Sequence, residues 1–112
     1  MNERDFGLTL QRMMVKRRLY WHHCLDSRKC HGMNGMPDYL VVGPGGVAFI
    51  EIKVGMNDLQ FEQRQWRLQL IANGMTYRLW KPAQLDSGEI EAFLDWLATE
   101  PAERLTFAPR AA

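Results

Sequence analysis

Between Met36 and Lys53 the chain reads Met-Pro-Asp-Tyr-Leu-Val-Val, then Gly-Pro-Gly-Gly, then Val-Ala-Phe-Ile-Glu-Ile-Lys. Two runs rich in Val, Ile, Leu and aromatic residues flank a Gly/Pro loop, the signal for two antiparallel strands joined by a tight turn. A turn centred between Pro44 and Gly45 puts Asp38 directly across from Glu51, and directly opposed side chains share one face of a sheet about 5 Å apart at Cβ. Lys53 lies two residues beyond Glu51, so the period of two carries it to the same face. Two carboxylates and an ammonium therefore converge at the open end of the hairpin. Such a cluster is costly in a fold unless it has a use.

The remaining sequence suits a single domain. A chain of 112 residues with 46% hydrophobic and 24% charged residues can close one core and is neither disordered nor a coiled coil in composition. No apolar run reaches the roughly 18 residues of a membrane span, and the start lacks the charged-then-hydrophobic pattern of a signal peptide. These features lead us to expect a cytoplasmic protein. Charge is unevenly placed: residues 1–31 carry seven Lys/Arg against three Asp/Glu, and the rest seven against ten. The excess gathers in Lys16, Arg17, Arg18, Arg28 and Lys29, a patch that suits phosphates or, equally, a solvated helix end. Cys24 and Cys30, the only cysteines, are expected to be free thiols. His22, His23 and His31 nearby bring zinc to mind, but the spacing fits no closed four-ligand pattern.

In chain order, Asn2 caps a first helix whose Phe6, Leu10, Met13, Met14 and Arg17 follow helical spacing. Glu3 in its first turn reads as dipole compensation, with a role at the hairpin acids as the alternative. Leu19 to Cys24 reads as a strand, followed by a long polar connection to Pro37 whose Ser27, Arg28 and Lys29 are donors for phosphate oxygens. After the hairpin, Asn57 with Gln60 forms a capping-box pattern, and a helix is expected over 58–72, ending at Asn73-Gly74. Its inward stripe is Leu59, Gln63, Trp66 and Leu70. Gln63 is the polar exception there, either satisfied by backbone or turned toward a catalytic group. A strand over 75–81 ends at Pro82, and Asp86 with Glu89 opens a last helix bearing Ile90, Phe93, Leu94 and Leu97. Residues 1–100 thus make up the domain, with 101–112 as a loose tail.

Helix, strand, hairpin, helix, strand, helix gives an α/β fold: a mixed four-stranded sheet flanked by helices. On this scaffold the opposed acids suit Mg²⁺ or Mn²⁺, which prefer hard oxygen ligands. A cation there, with Lys53 beside it, suits hydrolysis of a phosphodiester. The alternative is an ordinary surface ion pair worth about 0–1 kcal/mol.

The residues also match a known pattern. Pro37-Asp38 followed by Glu51-Ile52-Lys53 resembles the PD-(D/E)XK nuclease superfamily. Gly35 to Leu40, Phe49 to Lys53, and Leu59 with Gln63 and Trp66 more closely resemble the virus-type replication-repair nuclease (VRR-NUC) family. His23 to Arg28 and Gly74 to Pro82 extend the likeness over roughly residues 3–97. The resemblance implies a restriction-endonuclease-like core in α-β-β-β-α-β-α order. It implies Asp38 and Glu51 as metal ligands, with the Ile52 carbonyl and Glu3 as further candidates, Lys53 as the catalytic lysine, and Gln63 as an additional active-site residue. His23, Ser27 and Arg28 become substrate-side residues by the same comparison, beside the basic Lys16, Arg17 and Lys29. A lone module of this kind is expected to act as a homodimer on branched double-stranded DNA, Holliday junctions above all, because paired symmetric nicks need two sites about a two-fold axis. A flap or single-strand nuclease, a duplex nickase, and a catalytically silent DNA-binding module are the alternatives.

Overall fold

The computed structural model describes residues 1–24 and 30–100. The elements are α1 (Glu3–Lys16), β1 (Tyr20–His23), β2 (Tyr39–Gly43), β3 (Gly46–Ile52), α2 (Phe61–Ala72), β4 (Thr76–Trp80), α3 (Pro82–Asp86) and α4 (Glu89–Ala98). They build the expected mixed sheet, in the order β1-β2-β3-β4. β1, β2 and β3 run antiparallel in succession, and β4 joins β3 in parallel. The parallel step follows from the connection, since two parallel neighbours need a crossover long enough to return the chain, and α2 supplies it.

The hairpin register is the one its turn dictates. Gly43 pairs with Gly46 around a Pro44-Gly45 turn, and outward from there Val42 pairs with Val47, Leu40 with Phe49 and Tyr39 with Ile50. The turn is pressed against the end of α4. Gly45 N–H donates to the Leu97 carbonyl at 2.8 Å. A Cβ on Gly45 would stand 2.6 Å from the Trp96 carbonyl oxygen, and one on Gly43 2.5 Å from that of Leu97. Only glycine permits so close an approach.

The two sheet faces differ sharply. One carries Tyr39, Val41, Ala48, Ile50, Ile52 and Trp80, all buried, and is covered by Phe6, Leu10 and Met14 of α1 and Ile90, Leu94 and Leu97 of α4. Burial of these side chains, at about 1.5–3 kcal/mol for each large one, holds the domain together. α1 starts as its sequence suggests, with Asn2 Oδ1 accepting from Asp5 N–H at 2.8 Å. Gln11 Nε2 donates to the buried Tyr39 hydroxyl at 2.9 Å, pinning α1 to β2. The opposite face presents Tyr20, His22, Leu40, Val42, Val47, Phe49, Glu51, Tyr77 and Leu79 by the same register. Among the described helices α2 lies over it, reaching the sheet through Arg67 stacked 5.8 Å from the Tyr77 ring centre. Tyr20 (81% exposed), Val42 and Val47 remain open.

Several boundaries depart from the sequence reading. β1 is shorter, Tyr20–His23. α2 begins at Phe61 with Gln60 as its cap, one turn later than the Asn57 pattern suggests. The reason is local: Asn57 N–H closes a turn onto the Val54 carbonyl, and Asp58 Oδ1 takes up the Leu59 N–H. Both groups are spent before a helix can start. Pro82 ends β4 but also opens the short α3, as proline does at a first helical position. Asp86 therefore closes α3, and α4 starts from Gly88, whose φ of 85° reorients the chain. Cys24 and Cys30 are bonded to each other, with their Cα atoms 6.8 Å apart, so the expectation of free thiols is overturned. The tail at 101–112 lies outside the described residues.

Candidate active site

Glu51 is the one charged residue buried in the described core, at 1% exposure. It belongs to β3, the inner strand between β2 and β4, and the register turns its side chain to the face on which α2 lies. Among the described residues neither carboxylate oxygen has a hydrogen-bond partner. Burial, reinforced by the Asp38 carboxylate beside it, pushes the Glu51 carboxyl up to about 10, and the Lys53 ammonium only partly offsets this. An acid so placed is held neutral until something positively charged joins it.

Asp38 occupies the position just before β2, next in line after the Tyr39–Ile50 pair. Its Oδ2 accepts the Ile52 N–H at 2.8 Å, a side-chain bond that takes over where the ladder stops. That bond fixes the carboxylate across from Glu51. The Asp38 carbonyl lies 2.7 Å from His23 Nδ1, so His23 carries its proton on that nitrogen and donates it. Both ends of the Asp38 residue are thus anchored. Ile52 ends β3 beyond the last pair with β2, so it stands beside both acids at the open end of the sheet. Lys53 follows, half-buried, its N–H donating to the Trp80 carbonyl at 3.0 Å. Among the described residues no ion pair holds Lys53 to either acid.

The other candidates are distributed as follows. Glu3 is exposed at the start of α1 and acts on Glu51 only through its charge, raising the buried carboxyl further. Gln63 is half-buried on α2, and its Oε1 accepts the Gln60 N–H at 2.8 Å, which commits that oxygen to the helix start. His23 stacks on Tyr39 at 4.5 Å and lies on the α1 side of the sheet, so the register turns the exposed His22, not His23, toward the Glu51 face. Arg17 is engaged by carboxylates of α4: Nε donates to Asp95 Oδ1 at 2.7 Å, and the guanidinium lies 3.9 Å from Glu91. It ties α1 to α4, and at 13% side-chain exposure its charge is spent there. Lys16 is exposed in the last turn of α1. Ser27, Arg28 and Lys29 lie outside the described residues.

One contact and one residue were not anticipated. Trp66 Nε1 donates to the carbonyls of Met33 and Asn34, at 3.2 and 2.9 Å, and Gly35 packs so tightly that a Cβ would be 2.5 Å from the Glu62 backbone. The connection before Asp38 is thereby docked on α2, beside the acids. Tyr77 of β4 is buried on the same face as Glu51, and among the described residues its hydroxyl also lacks a partner. The alternation of Met75, Tyr77 and Leu79 contains that placement, but only the parallel register sets it beside Glu51.

No family model, curated protein or solved structure matches this chain. What the site can hold must therefore be judged from its own chemistry. Among the described residues, no group of three or more His, Cys, Asp or Glu gathers as a closed cage. Two carboxylates and a nearby carbonyl form an open, all-oxygen donor set. This is the arrangement Mg²⁺ uses, with one or two carboxylates and the remaining positions left to water and substrate phosphate. The unpartnered Glu51 oxygens are the particular fit, since a cation is the partner that a buried carboxylate pair lacks.

Proposed function

We propose that this protein is a Mg²⁺- or Mn²⁺-dependent DNA endonuclease that hydrolyses phosphodiester bonds in branched DNA, with four-way junctions as the leading substrate and a homodimer as the working form. The observation that carries the reading is the Glu51 carboxyl, buried without a donor beside Asp38 at the open end of the hairpin. The likeness of Pro37-Asp38, Glu51-Ile52-Lys53 and Gln63 to the VRR-NUC pattern supports it.

In this reading Asp38 and Glu51 hold the cation, with the Ile52 carbonyl as an added oxygen and Glu3 contributing negative charge. A bound divalent cation neutralises phosphate charge and makes water a better nucleophile near neutral pH. The work left to the chain is positioning. The Ile52 N–H keeps the Asp38 carboxylate from rotating. Lys53, on the face of the two acids, donates to the phosphoryl or leaving oxygen and stabilises negative charge as it develops there. Gln63 orients the attacking water by its amide. Substrate reaches the acids across the open sheet face, where His22 is exposed, and the Ser27-Arg28-Lys29 run and Lys16 supply phosphate contacts.

The experiment is cleavage of labelled four-way junction, flap and linear duplex with Mg²⁺ or Mn²⁺, alongside a sizing column. The expected result is paired nicks in the junction by a dimer, lost in Asp38→Asn, Glu51→Gln and Lys53→Ala. Unimpaired cutting by these variants refutes the site. Preferential cutting of flap or duplex redirects the substrate while keeping the chemistry. Calorimetry that detects no divalent cation on the folded parent favours a silent binding module.

A further inference from the structure

Three buried side-chain polar atoms lack a hydrogen-bond partner among the described residues: both Glu51 carboxylate oxygens and the Tyr77 hydroxyl. Two are acceptors and one is a donor, and they lie on one face of the sheet. β4 pairs Tyr77 with Phe49 and Leu79 with Glu51, so Tyr77 is the diagonal neighbour of Glu51. Aromatic side chains span that diagonal. Arg67 stacks over the Tyr77 ring at 5.8 Å, closing it in from the α2 side and fixing its plane. Tyr77 is 8% exposed, so its hydroxyl has no solvent to turn to. Nor can the Gln63 carbonyl oxygen receive it, being occupied by the Gln60 N–H.

A phenylalanine would fill the space beside Phe49 equally well and would avoid the cost of about 1–3 kcal/mol for a buried hydroxyl without a partner. A tyrosine kept at that cost has a use for its O–H. We propose that Tyr77 is a positioning residue for the metal-binding acids, its phenol O–H donating to the Glu51 carboxylate in the cation-bound form, directly or through one water, and so holding it in the orientation that keeps the cation. The inference rests on the metal reading of Asp38 and Glu51 and adds to it the group that aims the second acid. Ligand carboxylates are hydrogen-bonded by such outer partners as a rule, and loss of one typically weakens metal binding about 10–100-fold. Burial and the nearby Glu51 charge push the Tyr77 hydroxyl up to about 12, which keeps its proton available as a donor across the working pH range.

The test is Tyr77→Phe in the full chain, read by Mn²⁺ titration calorimetry at fixed pH and by thermal unfolding in chelator. We expect the metal-free variant to melt at the same temperature as the parent or higher, and its Mn²⁺ affinity to fall about 10–100-fold. A purely structural hydroxyl would lower the melting temperature, and that result overturns the proposal. Mn²⁺ affinity within about twofold of the parent overturns the role of Tyr77 alone and leaves the metal site standing. A parent that binds no Mn²⁺ overturns the metal site together with this role.

Discussion

Replacing Glu51 by glutamine keeps the shape of the side chain and removes its proton. In the unfolded chain an ordinary glutamate ionises near pH 4.5, whereas in the fold burial and Asp38 hold the Glu51 carboxyl neutral to about 10. Between those limits the native state binds a proton that the unfolded state has released. Stability contributed by this group is therefore greatest below the unfolded value and falls as pH rises. One proton limits the slope to about 1.4 kcal/mol per pH unit. Between about pH 5.5 and 7.5 the metal-free parent should lose up to about 2.7 kcal/mol that Glu51→Gln does not lose.

The assay is denaturant or thermal unfolding of both proteins in chelator across that pH range. The variant should gain on the parent as pH rises, by about 10 °C in melting temperature over the two units. Saturating Mn²⁺ should restore the parent and leave the variant unchanged, because only the parent exchanges its proton for the cation. A stability difference that stays flat with pH would mean Glu51 ionises like an exposed acid. The account of the site as a carboxyl awaiting a cation would then be wrong.

Two further predictions separate structural from substrate roles. Arg17→Ala should cost about 1–2 kcal/mol of stability through the lost Asp95 bond, with DNA affinity at matched folded fraction unchanged; weakened DNA binding at unaltered stability would return Arg17 to the substrate. Trp66→Phe removes the donor shared by the Met33 and Asn34 carbonyls, so the connection at 30–37 should exchange its amide hydrogens faster and be cut more readily by protease, at little change in melting temperature. Unchanged protection of that segment would show that Gly35 packing alone docks it.

The hairpin and its acids were legible in the sequence because a two-residue turn leaves one register, and a period of two then assigns every side chain to a face. Asn2 was legible for a similar reason: its cap involves only the residues next to it. The reading failed where a local pattern had a competing use for the same groups. Asn57 and Asp58 look like a helix start, yet their hydrogen bonds go to turns that precede it. Arg17 follows the α1 stripe, but what occupies it is a carboxylate 78 positions away on α4. His22 and His23 cannot be told apart by composition, and only the pairing of β1 with β2 assigns them to opposite faces. Tyr77 falls inside the strand expected over 75–81, but its nearness to Glu51 depends on a parallel pairing that no short-range pattern encodes.

The contact of Gly43 and Gly45 with the end of α4 has a consequence for how the molecule tolerates change. Hairpin tips usually accept inserted residues, but here an added side chain meets the Trp96 and Leu97 carbonyls at once. The tip is closed to growth. The segment from Val54 to Gln60 offers more latitude, with Met56 almost fully exposed and open space on the side where a Gly55 side chain would stand. A tag, a linker or an accessory domain is best accommodated there, and it would then project beside the acids.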